Sequence, residues 1–389
     1  MDIVCLASQD WNSHLGVPQQ LMARVAADHR VIYVDPPRSL TSALNGWRPD
    51  TDANVRHLQV ADASKVIRAA APGRSIPVHN LPLPAARLMR SVNGRFLRGW
   101  FRDLLDRHSV TNPVYWVFEP ASVQHLPHLP KGPVVYDCID SWAGYFPEGS
   151  RRHGTITDMD TRLTQTADLV FVGSTSLRDS HLPLNSNTHM IHHAADFHHF
   201  NQATSEDYPV AEAVHFDDAR PVIGLAGILD KRVDTESLTI IAKRHPEWRF
   251  AFVGPVQANL DVSALEALEN VAMIGMVPAS ELPAYVKGFD VCLIPYLIDE
   301  FVKNIYPLKL HEYLATGRPV VSTSVPAVLP YADLIEIADG ADALEQSILA
   351  ALADTGPDRL AARIELAREN SWENRVADKM NLIAKVAHT

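Results

Sequence analysis

Pro307-Leu308-Lys309-Leu310-His311-Glu312-Tyr313-Leu314-Ala315-Thr316-Gly317-Arg318-Pro319-Val320-Val321 holds two patterns in one run. Residues 308–315 read as a helix with Pro307 near its start, where a missing N–H costs nothing. Val320–Ser322 then reads as a short apolar strand. The same pairing recurs upstream. Strands are expected at Val222–Ala226, Phe250–Val253, Val271–Ile274 and Val291–Ile294, with helices at Thr235–Arg244 and Ser280–Lys287. Nearer the amino terminus, strands are expected at Ile3–Ala7, Val31–Val34, Val114–Val117, Val134–Tyr136 and Leu169–Val172, with helices at Pro18–Ala27 and Arg151–Thr166. Short, continuous apolar strands alternating with helices imply parallel sheets covered on both faces. The rhythm lapses over 201–218, a polar stretch that reads as a linker. A chain of 389 residues also exceeds one ordinary core. The expectation is an α/β chain of two doubly wound domains facing a central cleft, ligands binding at the carboxyl ends of the strands. Gly173, Gly227, Gly254 and Gly275 end strands there, where glycine permits a tight turn and close ligand approach.

Composition narrows the function classes. At 47% hydrophobic and 21% charged, the chain reads as a soluble globular enzyme. No apolar run approaches the ~18 to 20 residues of a membrane span. Met1-Asp2-Ile3-Val4-Cys5 lacks the basic start of a signal peptide and reads as a first strand. Cys5, Cys138 and Cys292 are an odd, widely spaced set, read as reduced packing residues in a cytoplasmic protein. A net charge of −11 argues against nucleic acid as a partner. The charge is uneven: residues 85–108 hold six arginines against two aspartates, about +4, leaving about −15 for the remainder. Interleaved with Leu88, Met89, Phe96, Leu97, Trp100, Phe101 and Leu104, these arginines suit either an interfacial helix on an anionic membrane or a basic helix packed on its own sheet.

The second half resembles the donor-binding domain of GT-B glycosyltransferases of the group 1, family 4-like type. The carrying residues are His245–Gly254, Asn270–Gly275 and above all Pro307–Val321. The segment His193-Ala194-Ala195-Asp196 with Phe200 resembles the family's Asn-Gly-Val-Asp junction, and Ser371-Trp372 opens what resembles its final helix. Bacterial exopolysaccharide, teichuronic-acid and xanthan-type glucuronosyltransferases are the suggested relatives. The resemblance implies two Rossmann-like domains: 1–200 for the acceptor, 201–370 for a nucleotide sugar (UDP-linked by expectation), and a helix over 371–389 crossing back. It also implies no cofactor and no metal. Lys309 would add a point charge to the diphosphate, and Glu312, on the same helix face, would accept the ribose hydroxyls. Leu308 and Pro307 open a helix whose free N–H groups favour phosphate. Lys231 and Arg232 fall where the family keeps a basic phosphate contact, just past Gly227. Tyr296 and Met276 are candidate base or sugar contacts, and Gly16, after the first strand, a candidate point of backbone approach.

Two departures bear on mechanism. Retaining members carry glutamates eight positions apart, but the position eight before Glu312 is Asn304, and Ile228 replaces the usual arginine after Gly227. An inverting transfer needs a general base. In Val134-Val135-Tyr136-Asp137-Cys138-Ile139-Asp140, Asp140 resembles the base of the xanthan-type enzyme, with Asp137 the competing choice. Asp158-Met159-Asp160 falls in a helix and reads as a solvated face. His192-His193 and His198-His199 lack metal-ligand spacing. The functional expectation is hexosyl transfer from a nucleotide sugar to a glycan or lipid-linked acceptor in cell-surface polysaccharide synthesis, at the cytoplasmic face of the membrane. The alternatives are a nucleotide-sugar 2-epimerase of the same fold and a non-catalytic nucleotide- or glycan-binding subunit.

Overall fold

The computed structural model describes residues 1–11, 16–36, 65–70, 97–216 and 219–387. The chain divides into two compact units, Met1–Ile191 with Val376–Thr389, and His192–Arg375. The first unit begins on β1 (Asp2–Leu6), β2 (Arg30–Asp35), β3 (Ile67–Ala70) and β4 (Pro113–Val117), and continues through β5 (Val134–Cys138), β6 (Leu169–Val172) and β7 (Thr188–Met190). They form one parallel sheet in the order β3-β2-β1-β4-β5-β6-β7. The winding reverses between β1 and β4. The second unit holds β8 (Val222–Ala226), β9 (Arg249–Val253), β10 (Val271–Gly275), β11 (Val291–Ile294), β12 (Val320–Ser322) and β13 (Glu336–Ile337), again parallel, in the order β10-β9-β8-β11-β12-β13. Both sheets are doubly wound and Rossmann-like.

Why these segments form strands is plain in the central ones. Pro113–Val117 and Val222–Ala226 are buried at every position, so both faces of each strand lie under helices and no polar alternation survives. The sheet edges are different. Ile67–Ala70, Thr188–Met190 and Glu336–Ile337 are short, and each carries at least one polar residue. The unit boundary falls at 191/192, before the polar stretch expected to be the linker. The reason is local pairing: Ala195 N–H donates to Asn370 O at 3.2 Å and Trp372 N–H to Ala195 O at 3.2 Å, which anchors His193–Asp196 within the second unit.

The basic segment over 85–108 is described only from residue 97, and its earlier half lies outside the described residues. Residues 97–107 are helical, and Leu97, Phe101, Leu104 and Leu105 are buried in the first unit's core, leaving Arg98, Arg102, Asp103, Asp106 and Arg107 outward. In this half the apolar face serves the protein's own sheet, so only its charges could meet a membrane. Among the described residues no helix is long and apolar enough to cross a bilayer.

Candidate functional site

In the second unit, polar chemistry gathers where β8, β9 and β10 end. Gly227, Gly254 and Gly275 follow each other across that edge, with φ of 129°, 142° and 80°. Gly227 N–H donates to Val253 O and Gly254 N–H to Gly275 O, both at 2.7 Å. A Cβ at Gly254 would lie 2.1 Å from Gly227 O, so two of these turns nest only because that side chain is absent. A Cβ on Gly227 would meet Lys309 Nζ at 2.9 Å: the ammonium lies directly on this backbone.

Lys309 is placed there by the helix Lys309–Ala315, whose Leu310 and Leu314 are fully buried. One turn on, the Tyr313 hydroxyl donates to Ala226 O at 3.1 Å and accepts from Ala226 N–H at 2.8 Å, pinning the helix to the end of β8. Lys309 Nζ is buried, makes no hydrogen bond, and stands 5.4 Å from the Tyr296 ring centroid. Burying an ammonium without hydrogen bonds is costly, and a cation–π contact offsets only part of that.

Arg232 shares the same aromatic shelf, 5.4 Å from the Tyr296 centroid, and forks onto Asp230 with contacts of 2.5 to 3.0 Å. Burial would raise the Asp230 carboxyl, but the ion pair with Arg232, helped by Lys309, holds it below its usual range. Tyr296, expected as a contact to base or sugar, is instead buried beneath two cations, at 4% exposure. Lys231 is exposed and turns to the Phe301 ring at 5.6 Å, which leaves Arg232 as the member of the pair beside Lys309. Glu312 is partly buried one turn after Lys309. Burial pushes its carboxyl up to about 7, with Lys309 opposing and Asp196 adding to the rise.

The helix terminus contributes less than expected. Leu308 is its N-cap without a side-chain cap, the helix has seven residues, and the Leu310 N–H is already spent on Pro307 O at 3.0 Å. Charge for an anion therefore comes mainly from side chains. Met276 is 72% exposed, and Ile228 and Val256 project from the same strand ends at 47% and 37%. They give the glycine row an apolar border. The backbone of Asn304 closes a 3₁₀ turn at Val302–Asn304.

In the first unit the two expected bases separate. Asp137 is 2% exposed, its Oδ2 held by Lys379 Nζ at 2.5 Å and Trp116 Nε1 at 3.1 Å. A carboxylate so committed fastens the last helix, Trp372–Ala387, to β5 and is in no position to take a substrate proton. Asp140 lies in the loop beyond β5 and is partly exposed. Its Oδ1 accepts Ser141 N–H at 2.8 Å, and its Oδ2 accepts the hydroxyl of Tyr145, itself 56% exposed. Two residues on, the Trp142 ring N–H is buried without a partner. Gly16 does not offer free backbone: its N–H donates to Gln19 Oε1 at 3.2 Å, and a Cβ there would meet the Gln9 amide at 2.8 Å. Asp160 is no solvated face, since the Tyr136 hydroxyl donates to its Oδ1 at 2.5 Å. The histidine pairs do not converge either: His192 stacks on Tyr306 at 4.8 Å, while His199 Nε2 lies 3.0 Å from Ala279 O.

One further group, Glu119, escaped the sequence reading. Phe118 N–H donates to Leu6 O at 3.0 Å, which continues the β1–β4 ladder and sets Ser8 level with Glu119. Burial pushes the Glu119 carboxyl up to about 7, and Ser8 Oγ and Gln9 Oε1 are buried without partners. This is the point where the winding reverses, the usual ligand edge of such a sheet. The available signal was a glutamate directly after a wholly apolar central strand.

Residues 221–366 match the family of glycosyl transferases group 1. Over these residues the second unit is similar to a group 1 glycosyl transferase domain. Consistent with this, the chain is 28% identical over 202 residues to TuaH of Bacillus subtilis (strain 168), whose name places it as a glycosyltransferase of teichuronic acid biosynthesis. That match takes in 50% of this chain and 51% of TuaH, so the chain spans about half the length of this relative. Among solved structures, sucrose-phosphate synthase from Thermosynechococcus elongatus superimposes with a TM-score of 0.68 at 18% identity, over 99% of this chain and 98% of that one. HepE of Anabaena in complex with UDP gives 0.65 at 12%, over 99% and 100%. The trehalose-6-phosphate structure from E. coli bound with UDP-2-fluoro glucose gives 0.67 at 10%, over 100% and 99%. The fold is GT-B. Lys309, Arg232, Glu312 and the glycine row all fall within the matched residues.

Proposed function

We propose that this protein transfers a hexosyl unit from a UDP-linked sugar to a glycan or lipid-linked acceptor in cell-surface polysaccharide synthesis, with inversion at the anomeric carbon. The observation that carries it is the buried, unpartnered ammonium of Lys309 on the Gly227 backbone. A diphosphate oxygen would supply the missing hydrogen bonds, as charge-assisted pairs of the stronger kind. Arg232 would add a second cation, Glu312 would accept ribose hydroxyls, and the apolar border at Met276 would face the base. UDP and UDP-2-fluoro glucose in the compared Anabaena and E. coli structures support that donor class. The first unit would serve the acceptor, with Asp140 as the base and Trp142 supplying an N–H. The assay is release of free UDP with and without membrane glycolipid. Acceptor-dependent release supports transfer. A donor epimerised with no acceptor, or UDP bound but never released, overturns it.

The donor site has its own test. UDP should raise the melting temperature by binding the folded state preferentially. Lys309→Ala should abolish that rise and leave the unliganded protein folded. Full UDP-dependent stabilisation in this variant would move the phosphate elsewhere.

Glu312 predicts effects of opposite sign. Its folded-state pKa of about 7 lies above the ordinary carboxylate value, so the folded state binds the extra proton, and stability falls as pH rises towards and through 7. At pH 8 the buried carboxylate then costs on the order of 2–3 kcal/mol. Glu312→Gln should therefore melt higher than wild type at pH 8, with little difference near pH 4, while losing affinity for UDP. Calorimetry at both pH values reads the first effect and titration with UDP the second. A glutamine variant less stable at pH 8 would show the burial to be compensated.

A further inference from the structure

We propose that Cys138, Asp160 and His181 in the first unit form a binding site for a zinc-class divalent cation. The three come from different elements: Cys138 ends β5, Asp160 lies in the helix Arg151–Thr166, and His181 ends the helix Thr175–His181. One ligand atom from each lies within 4.8 Å of the others. His181 Nε2 and Asp160 Oδ2 are 3.1 Å apart. That is close to the edge of a tetrahedron, about 3.3 Å, built on bonds of about 2.0–2.1 Å. A thiolate, an imidazole and a carboxylate are the donors zinc takes.

The second observation is the direction of His181. The residue is 3% exposed, and its Nδ1 lies 2.8 Å from Leu177 O, a pure acceptor, so Nδ1 carries a proton. Nε2 is ion-paired with Asp160 Oδ2 at 3.1 Å but makes no aligned hydrogen bond. A ring nitrogen fixed from behind by a carbonyl and aimed between a thiol and a carboxylate has the outer support typical of metal-bound histidine. Asp160 has the same support, since Tyr136 occupies its other oxygen. Cys138 is buried, while the Asp160 side chain keeps 23% exposure, the side from which a water could complete four ligands. Without a cation, His181 would be an imidazolium paired with Asp160: burial lowers its pKa, but Asp160 and Cys138 outweigh burial and bring it to about 10. The cation would tie two helices to the end of β5, where Cys138 Sγ lies 3.4 Å from Asp140 O.

The test uses tag-free full-length protein, stripped of metal and kept reduced, then given cobalt(II). One equivalent should stay bound through gel filtration and show a near-ultraviolet thiolate-to-cobalt charge-transfer band. Zinc should displace it. Cys138→Ser should lose the band, whereas Cys5→Ser and Cys292→Ser keep it, and His181→Gln and Asp160→Asn should weaken retention. Folded wild type that takes up no cobalt, or takes it up without a sulfur band as surface imidazoles would, overturns the site. So does a band that survives Cys138→Ser. Should that variant fail to fold, the wild-type spectrum with the Cys5 and Cys292 variants still identifies the thiolate.

Discussion

Replacing Asp140 by asparagine should lower turnover about 10²- to 10⁴-fold, the usual cost of losing a positioned general base. Asparagine is nearly isosteric and can keep one acceptor for Ser141 N–H or Tyr145, so the fold and UDP-dependent stabilisation should persist. The product linkage, read by NMR, should be opposite in anomeric configuration to the donor. Tyr145 is part of the expectation. Its hydroxyl sits on the oxygen that would take the proton, so Tyr145→Phe should free that oxygen and change the rate far less than Asp140→Asn. Glu119 is the competing base, since burial brings its carboxyl to about 7. If Glu119 acts instead, kcat should fall roughly tenfold per pH unit below about 7, and Glu119→Gln should abolish activity. Using kcat at saturating donor separates this limb from any effect of Glu312 on donor affinity. Near-normal turnover in Asp140→Asn, or retained configuration, ends the proposal for Asp140.

Asp137→Asn should be the most destabilising conservative change in the first unit, at about 3–5 kcal/mol. It leaves the Lys379 ammonium, 3% exposed on its side chain, without the carboxylate 2.5 Å away. The Phe171 ring 5.0 Å from the ammonium is worth far less than that carboxylate. Lys379→Met alone should be similarly costly, because it strands the carboxylate. The two together should recover most of the loss, since removing a buried pair as a unit is often close to neutral. Urea titrations of the four proteins give the coupling directly. An Asp137→Asn protein as stable as wild type would mean that Lys379 escapes to solvent. Asp137 therefore cannot serve as a mild control for Asp140, although the two stand three positions apart in one loop-ending strand.

What was legible in the sequence followed burial. Leu169–Val172, Val222–Ala226, Val291–Ile294 and Val320–Ser322 coincide with their expected bounds because central parallel strands leave an unbroken apolar run. The edge strands at Ile67–Ala70, Thr188–Met190 and Glu336–Ile337 went unread because two to four residues leave too short a pattern, whereas the five-residue edge strand Val271–Gly275 was read. Among site residues, spacing found Lys309 and Glu312 because three positions on a helix share a face. Spacing alone could not say that Tyr296 would lie under two cations, that Gln9 would cover Gly16, or that Asp137 and Asp140 would part. Each depends on partners 7 to 242 positions away. The Asp160 cluster was missed for the same reason. A residue on a polar helix looks solvated until another strand and helix are brought against it.

The pair between Asp137 and Lys379 spans 242 positions, and that separation has a cost in time. At about 5–20 residues per second, synthesis reaches Lys379 roughly 10–50 seconds after Asp137. For that interval β5 lacks the cation that pairs with Asp137 in the finished fold. The second unit, contiguous from His192 to Arg375, can finish first. The first unit, translated earliest, is thus the one that gains its last buried ion pair only when the final helix has been made.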